Sequence, residues 1–291
     1  MMRNIRLTTI VLLLPWILTF VVFWLFPLVF SLITGFTNYS LISRNAAEWI
    51  GLGNYQELSS DQEFITSIKN TFIFVFGTVP ITTVISLYMA VLVNRRFKGR
   101  GVFRAGYFLP SITSMVVISL IFTNLYSRGG YIAGLATMLG FTTPENGFLY
   151  DRSTALYSIM AMDIWMSVGY YMLIFLSGLK SIPSELYEAA SIQGAGNIRQ
   201  FFSITLPLLK PVALFIIVIN TIKSFQVFVE IFVMTKGKFE TASMVYFIYK
   251  TGVTTAFRFG YASAAAYILF AIIGIFSVIQ FILMRRRQPL W

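Results

Sequence analysis

YASAAAYILFAIIGIFSVIQFILM, residues 261–284, contains no charged side chain. As an α-helix rising 1.5 Å per residue, this stretch reaches about 36 Å, more than the ~30 Å hydrocarbon core of a bilayer. An isolated segment inside lipid satisfies its backbone hydrogen bonds only by forming a helix. The stretch therefore predicts a membrane-spanning helix.

Five further stretches are similarly long and apolar: residues 9–36, 68–93, 103–126, 154–179 and 211–234. The chain is 57% hydrophobic and 11% charged, whereas a soluble domain is about one quarter charged. The first stretch is too long for a signal peptide and contains Pro15 and Pro27, so we expect an uncleaved span. The sequence predicts an all-α membrane protein with six transmembrane helices in one domain, residues 1–291.

Lysines and arginines indicate the orientation, because cytoplasmic loops are enriched in them. With both termini in the cytoplasm, the inner segments hold thirteen and the outer segments eight. The last outer loop, with four of those eight, weakens the bias. The thirteen inner cations are Arg3, Arg6, Arg95, Arg96, Lys98, Arg100, Arg104, Lys180, Arg199, Lys210, Arg285, Arg286 and Arg287.

Composition excludes several classes of protein. The chain has no cysteine and no histidine, which removes thiol nucleophiles, thiolate metal sites and Ser-His-Asp catalysis. The net charge of +11 lies in short segments between apolar runs and not on a polar domain, so no nucleic-acid partner is expected. We predict no catalytic residue and no metal site.

The segment 180–210 connects the fourth and fifth predicted spans and is polar enough to leave the membrane. Ser184 is a candidate N-cap of a first short helix, and Gly194 can end that helix in the left-handed conformation. Asn197 can cap a second short helix with Gln200 in a capping box, and Pro207 would end it. From the residues alone, both a surface connector and a partner-docking element fit this pattern.

This segment resembles the EAA loop of bacterial ABC-importer permeases, with every fixed position at its expected spacing. Gln193 departs from the usual pattern, which has Asp there. The resemblance implies a cytoplasmic coupling helix that docks on an ATPase. The matching positions are Glu188, Ala189, Ala190, Gly194, Ile204, Leu206 and Pro207.

The resemblance covers nearly the whole chain and narrows to the maltose-type carbohydrate-uptake permeases. Three other segments are similar to that group: Gly51–Tyr55, Lys98–Arg104 and Phe259–Ala264. The chain lacks a G-x-x-x-x-G-K-[ST] phosphate loop, so ATP and Mg²⁺ would be bound by partner subunits. The resemblance implies a second similar permease, two ATPase copies, an extracytoplasmic sugar-binding protein and a prokaryotic inner membrane. It leaves open which sugar, or glycerol phosphate, is carried.

Ionisable residues at bilayer depth are costly and point to function. Asp163 and Lys223 both fall near the predicted midplane. One interpretation is a pore wall that binds sugar hydroxyls, with aromatic rings stacking on the sugar; the other is a buried ion pair without a substrate role. The candidate pathway residues are Asp163, Trp165, Tyr170, Tyr171, Asn220, Lys223, Gln226 and Glu230.

Two further classes of protein remain as alternatives. In an ion-coupled secondary transporter, Asp163 would be the proton or sodium site; the EAA loop argues against this class. A membrane enzyme is disfavoured because the chain offers no catalytic constellation. ATP dependence of uptake in vesicles, with and without an ionophore, separates the ABC importer from the ion-coupled carrier.

Overall fold

A computed structural model describes residues 2–43, 46–95, 98–254 and 257–285. Every regular element among these residues is a helix. Arg96, Arg286 and Arg287, which contribute to the predicted orientation, lie outside the described residues. The helices in chain order are α1 Met2–Phe20, α2 Phe26–Thr34, α3 Gly53–Ser60, α4 Gln62–Asn94, α5 Arg100–Ile112, α6 Met115–Leu125, α7 Tyr131–Met138, α8 Ala155–Lys180, α9 Ser184–Ile192, α10 Asn197–Gln200, α11 Leu206–Phe225, α12 Val229–Met234, α13 Met244–Tyr249 and α14 Phe259–Arg285.

Five helical segments of the described chain are long and apolar enough to cross a membrane. A sixth is obtained if the bent pair α5 and α6 counts as one span. An all-helical chain with several apolar spans is therefore confirmed.

Two prolines follow wide π-helical turns instead of ending a helix. Val21–Leu25 precedes Pro27, and Phe201–Thr205 precedes Pro207. An α-helical proline lacks an N–H and clashes with the carbonyl four residues earlier. In the second turn the N–H of Leu206 bonds to the carbonyl of Phe201, five residues back, which widens the backbone just before the ring. The prediction that Pro207 ends a short helix is wrong, because helix α10 continues through this turn into α11.

The predicted span 103–126 is not one straight helix. Helices α5 and α6 meet at an angle of 98°, and Thr113 between them has an extended backbone with ψ of 151°. Pro110 weakens the last turn of α5 because it removes a backbone donor. The hydroxyls of Ser111 and Thr113 donate to the carbonyls of Phe108 and Leu109 at 2.7 and 2.9 Å, satisfying groups that the bend would leave unpaired.

The predicted span 211–234 also differs from the structure. Its helix begins at Asn197 and breaks after Phe225, and α12 resumes at Val229. The freed carbonyl of Val227 accepts a hydrogen bond of 2.6 Å from the Ser243 hydroxyl. Inside a membrane such a break is tolerated only where the protein satisfies the backbone or lines a cavity.

The chain forms two compact units, and the first consists of Met1–Ile65 and Phe247–Ala271. In this unit Arg258 donates two hydrogen bonds to the carboxylate of Glu57, at 2.6 and 2.5 Å. These bonds hold the pKa of Glu57 below its ordinary value. Tyr261 donates to Asp61 at 2.8 Å, so polar side chains tie the beginning of α14 and the residue before it to α3 and to the residue before α4.

The second unit consists of Thr66–Tyr246 and Ile272–Trp291, and α8 is its most buried apolar helix. Met172 and Phe175 of α8 are fully buried against Ala90 of α4 and Ile216 of α11. The short helix α12 packs on α6 and α8. The single domain over residues 1–291 stays a prediction.

Gly169 allows α5 to lie directly on α8. A Cβ atom at this glycine would stand 1.8 Å from the carbonyl oxygen of Tyr107. No side chain can relieve that overlap, because the obstructing atom belongs to the backbone.

We predict that Gly169→Ala lowers the unfolding free energy by about 1–3 kcal/mol or more, the usual penalty of overpacking. Gly274→Ala is the matched control, because a Cβ there meets nothing within 4 Å. Thermal unfolding of the purified protein in detergent compares the two variants. Equal midpoints would contradict the close packing of α5 on α8.

Candidate functional site

Helix α9, the turn after it, helix α10 and the π-helical turn make up residues 184–205, which we name the coupling segment after its predicted role. This segment contains the first five EAA positions. The helix begins directly after Pro183, with no side-chain hydrogen bond at its cap, so Ser184 is not the predicted N-cap. Gly194 has a φ of +77°. Its N–H bonds to Ser191, and that of Ala195 bonds to Ala190. This pair of bonds is the Schellman arrangement, which accounts for a glycine at this position.

Gln200 does not form the predicted capping box with Asn197. Its side-chain nitrogen donates instead to the Ser191 hydroxyl and to the carbonyl of Ala195, both at 2.9 Å. A second contact joins the Tyr187 hydroxyl to the Thr205 hydroxyl at 2.9 Å. Helix α9 is thereby tied at two points to the helical stretch that continues into α11.

The EAA positions differ in exposure. Helix α9 has no buried residue, and Glu188, Ala189 and Gly194 are exposed. Ile192, at the end of this helix, is 88% exposed. The remaining positions are the half-buried Ala190 and Ile204 and the exposed Leu206 and Pro207.

Asp163 and Lys223 lie in direct contact, joining α8 to α11. The Lys223 Nζ is 2.8 Å from Asp163 Oδ1 and 2.7 Å from the Ser167 hydroxyl. The Asp163 side chain is 2% exposed and that of Lys223 is 42% exposed. The carboxylate is therefore buried, whereas the Lys223 side chain is partly exposed.

A cavity of about 280 Å³ adjoins the exposed side of Lys223. Tyr170 and Tyr171 line it, with their rings perpendicular at 5.2 Å. Ser111 and Met115 bring the bend between α5 and α6 to its wall. The cavity thus combines aromatic faces, hydroxyls and one charge already balanced by Asp163. Its lining is Ser111, Met115, Met166, Ser167, Tyr170, Tyr171, Ile219 and Lys223.

The other predicted pathway residues are not part of this cavity lining. Trp165 packs its ring 5.3 Å from Phe122 and lines a different groove. Gln226 is exposed at the helix break, and Glu230 is buried on the separate helix α12. The polar stripe that Asn220, Lys223, Gln226 and Glu230 would form on one unbroken helix is therefore interrupted by the break between α11 and α12.

Asn220 is completely buried, and neither atom of its amide has a hydrogen-bond partner among the described residues. A buried unpaired amide is unfavourable by about 1–3 kcal/mol. Because Asn220 is completely buried, it does not line the cavity in this conformation.

Sequence reasoning missed Ser167 and Ser111. Ser167 stands one helical turn after Asp163, a spacing that places both on one face of α8. That spacing was the available signal. Ser111 reaches the cavity only because of the bend, which the sequence did not reveal.

The described residues contain no group of three or more His, Cys, Asp or Glu side chains that could hold a metal ion.

Residues 82–288 match the protein family described as "Binding-protein-dependent transport system inner membrane component". The probable ABC transporter permease protein YesP of Bacillus subtilis is 35% identical over 273 residues, which cover 92% of this chain and 87% of that protein. The multiple sugar-binding transport system permease protein MsmF of Streptococcus mutans is 32% identical over 262 residues, 89% of each chain.

A solved structure of a bacterial ABC transporter involved in import of the acidic polysaccharide alginate contains a similar chain. The TM-score is 0.85 with 24% identity, and the match covers 99% of this chain and 97% of that one. At this identity the likeness shows the fold. The chain therefore belongs to the family of inner membrane components of binding-protein-dependent transport systems, as a permease subunit of an ABC importer and not itself an enzyme.

Proposed function

We propose that this permease carries a sugar or oligosaccharide and forms half of the translocation pathway beside a second, similar permease. An extracytoplasmic binding protein delivers the sugar, and two ATPase copies bind ATP and Mg²⁺. The chain forms one membrane domain over residues 1–291, with both termini in the cytoplasm of a prokaryotic cell. The name of the relative MsmF supports the substrate class.

The proposal depends mainly on the attachment of α9 to the helical stretch that continues into α11. The Tyr187–Thr205 hydrogen bond fastens the exposed helix α9 to the base of the long helical stretch. From Thr205, that stretch reaches Lys223 over eighteen residues, about 27 Å at 1.5 Å per residue. An ATPase that moves α9 would therefore move the Lys223 side of the cavity as well, which is a rigid-body switch.

The cavity favours a neutral ligand over a phosphate. Lys223 is the only cation in its lining, and its charge is already balanced by Asp163. Tyr170, which is 45% exposed, offers a ring face for a sugar, and Ser111 offers a hydroxyl. This lining supports a sugar over glycerol phosphate.

Gly194→Val should uncouple the ATPase from transport. A β-branched residue in the left-handed conformation is disfavoured by about 1–2 kcal/mol. The chain would therefore leave the end of α9 in a different direction. Combined with Glu188→Ala, which removes an exposed charge of α9, it should abolish uptake while the protein still inserts. Sugar-stimulated ATP hydrolysis and uptake by the assembled transporter are the measurements.

Gly196→Ala is the matched control in the same turn. This glycine has a φ of −72°, and a Cβ there meets nothing within 4 Å, so transport should be kept. Normal uptake by the Glu188→Ala, Gly194→Val double variant would refute the coupling role of α9.

A double-mutant cycle on Asp163→Asn and Lys223→Met tests the ion pair. Removing Lys223 alone leaves a buried carboxylate unpaired, which lowers stability by about 3–5 kcal/mol. The double variant should recover much of that loss, with a coupling energy of about 1–3 kcal/mol. Thermal unfolding supplies the stabilities, and sugar-stimulated ATP hydrolysis shows whether the stable double variant still works.

The exposed pair Glu63 and Lys250, with an O–N distance of 2.6 Å, is the control cycle. Surface pairs couple by about 0–1 kcal/mol. Strictly additive losses at Asp163 and Lys223 would rule out a structural pair. A stable but inactive double variant would place Lys223 in the sugar pathway.

A further inference from the structure

An amphipathic groove of about 480 Å³ lies beside the coupling segment, between α4 and the helical stretch that begins at Asn197. The α4 side chains that line it follow the spacing of one helical face, from Val84 to Arg95. The opposite wall runs from Asn197 to Leu206 and includes the π-helical turn. The lining residues are Val84, Leu87, Tyr88, Val91, Arg95, Asn197, Ile198, Phe201, Phe202 and Leu206.

Apart from Tyr88 with its hydroxyl, the polar residues that line this groove are Arg95 and Asn197. Arg95 directly follows the last residue of α4, and Asn197 is the first residue of α10. From Arg95 the apolar wall extends eleven residues to Val84, about 16 Å along the helix axis. A cation at one end of a long apolar channel matches an amphiphile with an anionic head and an alkyl chain.

The proposed orientation, on which this inference rests, puts Arg95 at the cytoplasmic membrane surface. The cytoplasmic leaflet is rich in anionic lipids, and basic pockets on that side bind their headgroups. Lys98 and Arg100 follow closely in the sequence and add to the positive potential. Charge complementarity therefore favours a lipid phosphate at Arg95.

We infer that this groove is a binding site for an anionic phospholipid of the cytoplasmic leaflet. The lipid phosphate pairs with Arg95 and hydrogen-bonds Asn197, while an acyl chain lies along Val84 and Val91. Phe201 and Phe202 of the π-helical turn form part of the same wall. The bound lipid thus contacts the turn through which movement of α9 reaches α11, and π-helical turns are frequent at functional sites.

The test uses the assembled transporter, purified with this full chain. It is exchanged into phosphatidylcholine containing phosphatidylglycerol, and retained lipids are counted by native mass spectrometry. Arg95→Gln should weaken retention of phosphatidylglycerol about fivefold, the factor that corresponds to about 1 kcal/mol per cation at an anionic surface. Arg95 is exposed, so the variant should fold.

Lys98→Gln is the matched control, because it removes the same charge from a residue that does not line the groove. Val84→Trp should reduce retention even with Arg95 intact, because Val84 is 66% exposed and the larger ring occupies the groove. Unchanged retention in Arg95→Gln, or an equal loss in Lys98→Gln, would overturn the site. Loss of assembly in Val84→Trp would show that a partner subunit covers the groove and would also overturn it.

Failure of the lipid site is distinguishable from failure of the proposed function, because lipid retention requires neither sugar nor ATP. The orientation is checked separately with an impermeant thiol reagent. Added outside the cell, it should label a single cysteine at position 145 and not one at position 4. External labelling at position 4 would overturn the placement of the groove at the cytoplasmic surface.

Discussion

A carboxylate buried inside an apolar helix bundle needs a partner, and Asp163 has Lys223. Both groups would be very unfavourable in lipid alone, and the 2.8 Å contact compensates for this by joining α8 to α11. The position of α11 relative to α8 is therefore constrained near the cavity. The cavity is lined by Lys223. The helix breaks two residues later, after Phe225, and α12 then packs on α8.

The same requirement for satisfied polar groups explains the irregular helices. At the bend before α6, the hydroxyls of Ser111 and Thr113 donate hydrogen bonds to backbone carbonyls, as backbone N–H groups do in a regular helix. At the break before α12, the Ser243 hydroxyl bonds to the freed carbonyl of Val227. The π-helical turn before Pro207 contains one extra residue, which widens the backbone and leaves room for the proline ring. These three irregularities adjoin the cavity or the coupling segment.

The sequence was sufficient for features that depend on local chemistry. Apolar length over residues 68–93, 154–179 and 261–284 predicted helices α4, α8 and α14, and Gly194 predicted the left-handed end of α9. The sequence was insufficient for features that tertiary contacts determine. Pro207 looked like a helix end, yet a wider turn accommodates it, and Gln226 fell on a stripe that the helix break divides. Ser111 contributes to the cavity only through the bend after Pro110, so its position could not be read from periodicity.

We propose that α9 and the cavity move together because the hydroxyls of Tyr187 and Thr205 tie α9 to the base of α11. Tyr187→Phe with Thr205→Val removes that hydrogen bond and keeps both side-chain volumes. The direct measurement is the number of sugar molecules taken up per ATP hydrolysed by the reconstituted transporter, with the exposed Tyr131→Phe as control. The account predicts that hydrolysis continues while the ratio falls in the double variant and stays normal in the control. A ratio equal to that of the unmodified protein in the double variant would contradict it.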